Sequence, residues 1–208
     1  MVVLDDAGQY DPEALAHVPG VRLVSLKHRF RTLGEKRNSS AAIASPDTDA
    51  YCVWDDDDIY LPWHMSAAAM ALANADYSIP SVVYTDEQIR LERRSNERLF
   101  HGAWSFRRQA FEQASGYPFI QSGQDQGLLQ RFHSGQFRCA DSIAFDARPS
   151  YIYRWHTGHA CHFSAMGSDG YERLGQEPAI TVATLRLGWD RDWLRLHEES
   201  QARPVAKE

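Results

Sequence analysis

Residues 54–62 read Trp-Asp-Asp-Asp-Asp-Ile-Tyr-Leu-Pro, which is a run of four carboxylates framed by apolar residues. Four adjacent anions repel one another, so folding them into a compact site is costly unless a cation lies nearby. Hard divalent cations such as Mg²⁺ and Mn²⁺ prefer carboxylate oxygens and also bind phosphate. A solvated acidic turn is the alternative. The apolar residues on both sides favour instead the end of a buried strand, where α/β proteins hold their ligands.

The composition is that of a folded domain. The chain has 208 residues, of which 43% are hydrophobic and 12% aromatic, enough for one domain with its own core. The net charge of −6, with no basic block, argues against nucleic-acid binding. The sequence also predicts no transmembrane segment and no signal peptide. Three cysteines without framework spacing predict reduced thiols and a cytoplasmic location.

Strand and helix patterns alternate along the chain, which predicts an α/β fold. Strands are expected at Met1–Leu4, Val21–Leu26, Ala50–Trp54, Ser81–Tyr84, Ile143–Phe145 and Tyr151–Tyr153. Helices are expected at Pro12–His17, Gly34–Ala44, Pro62–Ala75, Arg107–Ala114, Asp125–Phe132 and about 178–199. The β-α-β-α-β-α order of the first part is typical of a parallel sheet with right-handed crossovers.

Two acidic clusters follow predicted strands, at Asp5-Asp6 and at residues 55–58. In one parallel sheet, both would lie at the same edge. Lys36 and Arg37 stand near a predicted helix start, where side chains and backbone amides can hold a phosphate. An ordinary exposed helix face is the alternative for this pair. The combination predicts a phosphorylated ligand bound through a cation.

Three stretches resemble the successive signatures of glycosyltransferase family 2: Val2–Gly8, Lys36–Asn38 and Trp54–Pro62. Segments 102–106, 115–117 and 123–125 resemble the part of that family that leads to its acidic catalytic pair. The likeness spans roughly residues 2–164. It implies the GT-A fold, a Rossmann-like and mostly parallel sheet flanked by helices. It also implies a nucleoside-diphosphate sugar donor and a D-x-D metal motif.

The resemblance implies roles for five donor-binding residues. Asp6 would hydrogen-bond the base of the donor, with UDP the preferred nucleotide, and Arg37 would lie against that nucleotide. Asp55 and Asp57 would be the two acids of D-x-D and bind Mn²⁺ or Mg²⁺, with Asp57 the principal ligand. Asp56 would lie close to the ribose. The cation would neutralise the diphosphate leaving group.

The catalytic base implied by the resemblance is Asp125, which would deprotonate a hydroxyl of a glycan or other acceptor for inverting attack. Asp125 could also serve as the N-cap of the following helix. The family usually has Glu before this aspartate, but this chain has Gln124, which cannot take a proton. Asp58 has two candidate roles, facing the sugar or capping the next helix.

The loop after Trp155 holds His156, His159, Cys161 and His162, whose spacing matches no established zinc pattern. The resemblance implies that His156 completes the coordination of the metal. Solvent-facing loop histidines are the alternative.

The family opens with a βα unit that has no counterpart before Asp5, so the fold is expected to be N-terminally truncated relative to the family. We expect one domain over residues 1–200, with a nucleotide- and metal-binding half at 1–76, an acceptor and catalytic half at 77–177 and a helical region at 178–200. Residues 201–208 are expected to be a flexible tail. Two alternatives are a non-catalytic module that binds sugar nucleotides or glycans and a retaining transferase of the same fold.

Overall fold

The structure is a computed structural model and describes residues 1–86, 91–95, 100–146 and 148–154. The strands are β1 (Val2–Asp5), β2 (Arg22–Ser25), β3 (Ala50–Cys52), β4 (Ile59–Tyr60), β5 (Tyr77–Ser78), β6 (Val82–Asp86), β7 (Leu91–Ser95), β8 (Ser105–Arg107), β9 (Cys139–Ala140) and β10 (Tyr151–Arg154). The α-helices are α1 (Leu33–Ala42), α2 (His64–Leu72), α3 (Arg108–Gln113), α4 (Gln124–Ser134) and α5 (Ile143–Asp146), with 3₁₀ turns at Pro12–Leu15 and His101–Ala103.

The described residues form two compact units, and each unit is assembled from two separate stretches of chain. The first unit contains Met1–Asp49 and Arg108–Gln136. The second contains Ala50–Arg107 and the described residues from Phe137 to Arg154. The chain is therefore an α/β protein, as predicted, whose strands and helices are divided between the two units.

The first unit contains the parallel pair β1–β2, in which Val3 lies opposite Leu23. The connection between these strands includes the 3₁₀ turn at Pro12–Leu15, where the Asp11 carboxylate accepts a hydrogen bond from the Glu13 amide. The predicted helix at 12–17 is therefore shortened to a single turn that ends at Leu15. Leu15 and Leu23 are both buried and contribute to the core of this unit.

Helix α1 begins at a capped N-terminus and packs closely against the loop that follows α3. The Thr32 hydroxyl accepts a hydrogen bond from the Glu35 amide at 3.1 Å, which satisfies one of the free donors of the first turn. The Gly34 amide donates to the Ile120 carbonyl at 3.2 Å. A Cβ atom at Gly34 would lie 1.9 Å from the Pro118 carbonyl oxygen, so only glycine permits this approach.

The second unit contains two four-stranded sheets with the orders β4-β10-β6-β7 and β3-β8-β5-β9. The β10–β6 and β5–β9 pairs are parallel, and the other pairs of these sheets are antiparallel. Residues of β4, β6 and β10 and their neighbours form two buried clusters in the first of these sheets: Leu61, Tyr84 and Ile152, and Tyr60, Val83, Ala103 and Tyr151.

Two expectations about the sheets require correction. The described sheets mix parallel and antiparallel pairs, where the sequence and the family resemblance indicated a mostly parallel sheet. Strands β1 and β3 also belong to different sheets, so the acidic clusters after them do not share the edge of one sheet. The predicted β-α-β-α-β-α order is present from β1 to β3, with a 3₁₀ turn as its first helical element, but β4 lies between β3 and α2. This order does not reveal that β3 pairs with the distant strand β8 in antiparallel register.

The predicted strand at Ile143–Phe145 is wrong, because these residues begin helix α5. The Asp141 carboxylate accepts a hydrogen bond from the Ile143 amide at 3.0 Å, and this contact favours a helical start. Three apolar residues are too few to distinguish a strand from a buried helical turn. Strand β7, for which the sequence predicts no element, pairs with β6 in antiparallel register.

Candidate functional site

The acidic run forms a turn directly after β3. The Val53 amide donates to the Trp104 carbonyl at 3.0 Å, which keeps the chain beside β8 as it enters the turn. Among the four acids, Asp56 is exposed, Asp55 and Asp57 are half-buried, and Asp58 is buried with 7% of its surface exposed. The run is therefore not a uniformly solvated segment.

Two buried tyrosine hydroxyls bind the ends of this turn. The Asp55 amide donates to the Tyr60 hydroxyl oxygen at 2.8 Å, and the Tyr151 hydroxyl donates to the Asp58 carboxylate in a short hydrogen bond. Burial raises the pKa of Tyr60 well above its usual value, and the charges of Asp55 and Asp58 raise it further. Burial, followed by the Asp58 charge, does the same to the pKa of Tyr151. Both hydroxyls therefore stay protonated and can act as hydrogen-bond donors.

The rings of Trp54, Tyr60 and His64 pack against one another beside the same turn. The Trp54 indole stacks on the Tyr60 ring with centroids 4.0 Å apart and remains 42% exposed. The His64 ring contacts both aromatics edge-on, and its Nδ1 lies 2.9 Å from the Ser150 hydroxyl. Its Nε2 is buried, with no hydrogen-bond partner in the described part of the chain. Burial lowers the pKa of His64 to about 4, so the ring is neutral at pH 7.

In the first unit, Asp5 organises the loop after β1. Its carboxylate accepts hydrogen bonds from the amides of Ala7 (2.9 Å), Gln9 (2.7 Å) and Tyr10 (3.1 Å), and from the Ser25 hydroxyl (2.7 Å). Burial opposes its ionisation, but together these hydrogen bonds outweigh burial and lower the pKa of Asp5. Asp5 therefore holds the shape of the loop, and Asp6 is the member of the pair with acceptor capacity for a ligand.

The Asp6 carboxylate already has two intramolecular partners. Its Oδ1 pairs with the Lys36 ammonium at 2.7 Å, and its Oδ2 accepts from the Phe30 amide at 3.3 Å. The Asp6 side chain is 11% exposed. A carboxylate has about four lone-pair positions, so Asp6 can accept a further donor from a ligand. Lys36 is thus an ion-pair partner and not simply a solvated residue on a helix face.

Arg37 and Asn38 contact the loop at residues 115–118. The Arg37 guanidinium lies over the Tyr117 ring, 5.8 Å from its centroid. The Asn38 side chain accepts from the Tyr117 amide at 2.8 Å and donates to the Tyr117 carbonyl at 2.9 Å. Arg131 donates to the Gly116 carbonyl at 2.8 Å, and Gly116 has a left-handed backbone with φ of 61°. These contacts fix the loop that precedes α4.

Asp125 lies in the first turn of α4 and is half-buried. The N-cap of this helix is Gly123, with φ of 76°, so the alternative that Asp125 is the N-cap is wrong. A carboxylate in the first turn is favoured by the helix dipole. The preceding Gln124 is buried, with 6% exposed. Of these two neighbours, Asp125 is therefore the one that retains access to solvent.

The structure divides the predicted site residues between the two units. Asp55, Asp56 and Asp57 lie in the second unit, and Asp6, Arg37 and Asp125 lie in the first. His156 and the other loop residues from 155 onward lie outside the described residues. Of the two roles considered for Asp58, capping of the next helix is wrong, because the N-cap of α2 is Trp63.

A cation at the acidic turn would take carboxylate oxygens as its ligands. No group of three or more His, Cys, Asp or Glu side chains among residues described by the structure is arranged to hold a metal ion. Mg²⁺ commonly binds through one or two carboxylates, completed by substrate phosphates and water. The half-buried Asp55 and Asp57 carboxylates are chemically suited to that kind of site.

Sequence reasoning missed the residues that support these acids. Tyr60 was read as an apolar residue of the opening stretch, and Tyr151 as part of a strand. The hydroxyl of a buried tyrosine usually has a hydrogen-bond partner. A tyrosine within an apolar run is therefore the sequence signal that could have indicated these contacts. Nothing in the sequence around Asn38 indicates that its side chain binds the backbone of Tyr117.

No protein-family model matches the chain, and no curated protein matches it. Within the described ranges, no helix is both long enough and apolar enough to cross a membrane. Function therefore has to be inferred from the residues and their contacts.

Proposed function

We propose that the protein is a metal-dependent glycosyltransferase with a GT-A fold. It transfers a sugar from a nucleoside-diphosphate sugar, of UDP type, to a hydroxyl of a glycan or other acceptor, with inversion. The acidic turn is the observation that carries the proposal. Its Asp58 is buried and bound by Tyr151, while Asp55 and Asp57 are half-buried directly after β3. This is the arrangement expected of an ordered D-x-D motif, and not of a solvated acidic segment.

The GT-A fold is supported by the order of the first elements. Strand β1, a helical turn, β2, α1 and β3 follow one another in the alternation that the family uses for its nucleotide-binding part. The β1–β2 pair is parallel, and Asp6 follows β1 as the family pattern requires. The mixed sheets of the second unit, which include antiparallel pairs, are compatible with an α/β transferase.

In the second unit, Asp55 and Asp57 would hold the donor through Mn²⁺ or Mg²⁺, with Asp57 the principal ligand. His156, which lies outside the described residues, would be an additional ligand. A bound cation would neutralise the diphosphate and stabilise it as a leaving group. Asp56 is exposed and can hydrogen-bond the ribose hydroxyls of the donor. Because Asp56 is exposed, its carboxylate is accessible to the ribose of a bound donor.

In the first unit, Asp6 accepts a hydrogen bond from the donor base and Arg37 contacts the nucleotide. Asp125 takes the proton from the acceptor hydroxyl as the oxygen attacks the anomeric carbon. The bond between that carbon and the diphosphate breaks, and the diphosphate leaves with the electron pair. Gln124 takes no part in the proton transfer, because an amide is not a base at neutral pH.

The test is donor turnover. The protein is incubated with Mn²⁺ and a panel of UDP-, GDP- and TDP-sugars, with glycan acceptors, and release of the nucleotide is measured. Release by the wild type that is lost in Asp57→Ala is the expected result. Asp47→Ala serves as the matched control, because Asp47 is an exposed acid in a turn of the first unit. Release that survives Asp57→Ala would exclude the D-x-D assignment.

The second candidate is a non-catalytic module that binds sugar nucleotides or glycans. The buried Gln124 favours it, because one member of the family's acidic pair is replaced by an amide. Nucleotide binding without release of nucleotide from any sugar donor in the panel would support this candidate. A retaining transferase is distinguished by the anomeric configuration of the product, which NMR reads directly.

A further inference from the structure

The hydroxyls of Tyr60 and Tyr151 meet the acidic turn from strands β4 and β10. These strands pair in antiparallel register with Tyr60 opposite Tyr151, and the ring centroids are 5.4 Å apart. Both side chains are buried, with 8% and 2% exposed. The two phenols therefore form one rigid unit, which we term the tyrosine pair.

The two members of the tyrosine pair bind opposite ends of the turn in complementary ways. Tyr60 accepts from the backbone amide of Asp55, which fixes the chain as it enters the turn. Tyr151 donates to the carboxylate of Asp58, which fixes the chain as it leaves. Asp57 lies between these two fixed points. The side chain of Asp57 is thus presented by a backbone that is anchored on both sides.

Gly102 makes room for this arrangement. A Cβ atom at Gly102 would lie 2.9 Å from the Tyr151 hydroxyl oxygen and 3.0 Å from the Tyr60 hydroxyl oxygen. A real side chain at this position would push both hydroxyls away from the turn. The lack of a side chain at Gly102 therefore leaves the space that both hydroxyls occupy.

We propose that Tyr60 and Tyr151 are positioning residues that hold the Asp55–Asp58 turn in the shape required for cation binding before the ligand arrives. A turn with four carboxylates tends to open because its charges repel one another. Anchoring it by two hydroxyls lowers the reorganisation needed when Asp55 and Asp57 bind a cation with a diphosphate. This inference rests on the proposed function, since it assigns these residues to the same cation site.

The experiment measures UDP binding with and without Mn²⁺ by calorimetry, for wild type, Tyr151→Phe and Tyr60→Phe. Each variant keeps the aromatic ring and loses only the hydroxyl. We expect the Mn²⁺-dependent affinity to fall by about 10-fold in each variant, the lower end of the effect of residues that orient metal ligands. The matched control is Tyr77→Phe, a buried tyrosine on β5 in the other sheet of this unit, which should bind as the wild type does.

Unfolding midpoints separate positioning from a purely structural role. A variant that is less stable yet keeps the wild-type Mn²⁺-dependent affinity would overturn the positioning role while leaving the cation site intact. Absence of Mn²⁺-dependent binding in the wild type itself would overturn both this inference and the proposed function. A fall in affinity in both tyrosine variants, but not in Tyr77→Phe, supports the positioning role.

Discussion

Tyr151 donates its hydroxyl proton to the carboxylate of Asp58, and this hydrogen bond joins strand β10 to the acidic turn that follows β3. Both residues are buried, so neither group has water as a ready replacement for its partner. The pair links residues 93 positions apart in sequence. The acidic turn is therefore held by a tertiary contact and is not only a local structure.

Replacement of Asp58 by alanine should destabilise the fold, because it leaves the buried Tyr151 hydroxyl without its acceptor. The expected loss is about 1–3 kcal/mol in the free energy of unfolding, measured by urea denaturation. Asp56→Ala is the matched control, since Asp56 is exposed and should change stability by less than about 0.5 kcal/mol. The double variant Asp58→Ala/Tyr151→Phe should recover part of the loss, and strict additivity would contradict a direct coupling.

His64 should make the protein less stable as the pH falls below its unfolded-state pKa. Burial lowers the pKa of His64 from 6.5 to about 4, so between these values the unfolded chain binds a proton that the folded protein does not. The stabilising difference is complete at neutral pH and is lost as the pH falls, by roughly 2 kcal/mol between about pH 7 and pH 5.

Urea denaturation across this pH range checks the His64 prediction. His64→Gln should have a flatter dependence of unfolding free energy on pH than the wild type. His133→Gln, which changes an exposed histidine on α4, serves as the control and should keep the wild-type slope. Equal slopes for His64→Gln and the wild type would show that His64 is not buried in its neutral form.

Gly34→Ala should destabilise the protein, because the new Cβ would lie 1.9 Å from the Pro118 carbonyl oxygen and the backbone would have to move. We expect a loss of about 1–3 kcal/mol, typical of overpacking. Gly20→Ala isolates the effect of backbone strain, since Gly20 has φ of 76° but no atom within 4 Å of the new Cβ. Thermal denaturation should rank Gly34→Ala as the less stable variant, and the reverse order would argue against a close approach at Pro118.

Asp125→Asn should lower kcat of the proposed transfer by about 10²–10⁴-fold while leaving nucleotide affinity nearly unchanged, because the variant removes only the base. Asp125→Glu keeps a carboxylate and should retain a measurable part of the activity. Gln130→Glu, a change at an exposed position of the same helix, controls for altered charge on α4. Turnover equal to the wild type in Asp125→Asn would exclude Asp125 as the base.

The sequence predicts local elements better than it predicts the partners of side chains. Strands β1, β2, β3, β6 and β10 and helices α1 to α4 lie where the sequence patterns placed them, within a few residues at their ends. The two-residue strands β4, β5 and β9 were missed, because two residues cannot show a periodic pattern. Their existence depends on pairing with distant segments, such as β5 with β8.

The same division applies to the candidate site. The acids at 55–58 and the pair Lys36-Arg37 were recognised from residue type and spacing alone. The partners of these side chains could not be recognised, because they are distant in sequence. Lys36, for example, pairs with Asp6, which lies 30 positions before it. The difference between Asp5 and Asp6 is likewise tertiary, because four hydrogen bonds hold Asp5 in its loop while Asp6 pairs with Lys36.

The interleaved units constrain how the protein can be synthesised and divided. The described chain passes from one unit to the other after Asp49, after Arg107 and after Gln136. During translation, the first unit cannot be completed until residues 108–136 leave the ribosome, although both strands of its β1–β2 pair are synthesised before residues 50–107. No single cut in the described chain releases either unit intact. A fragment with only the described residues of the first unit should therefore join residues 1–49 to residues 108–136 through a linker, because truncation from one end cannot produce it.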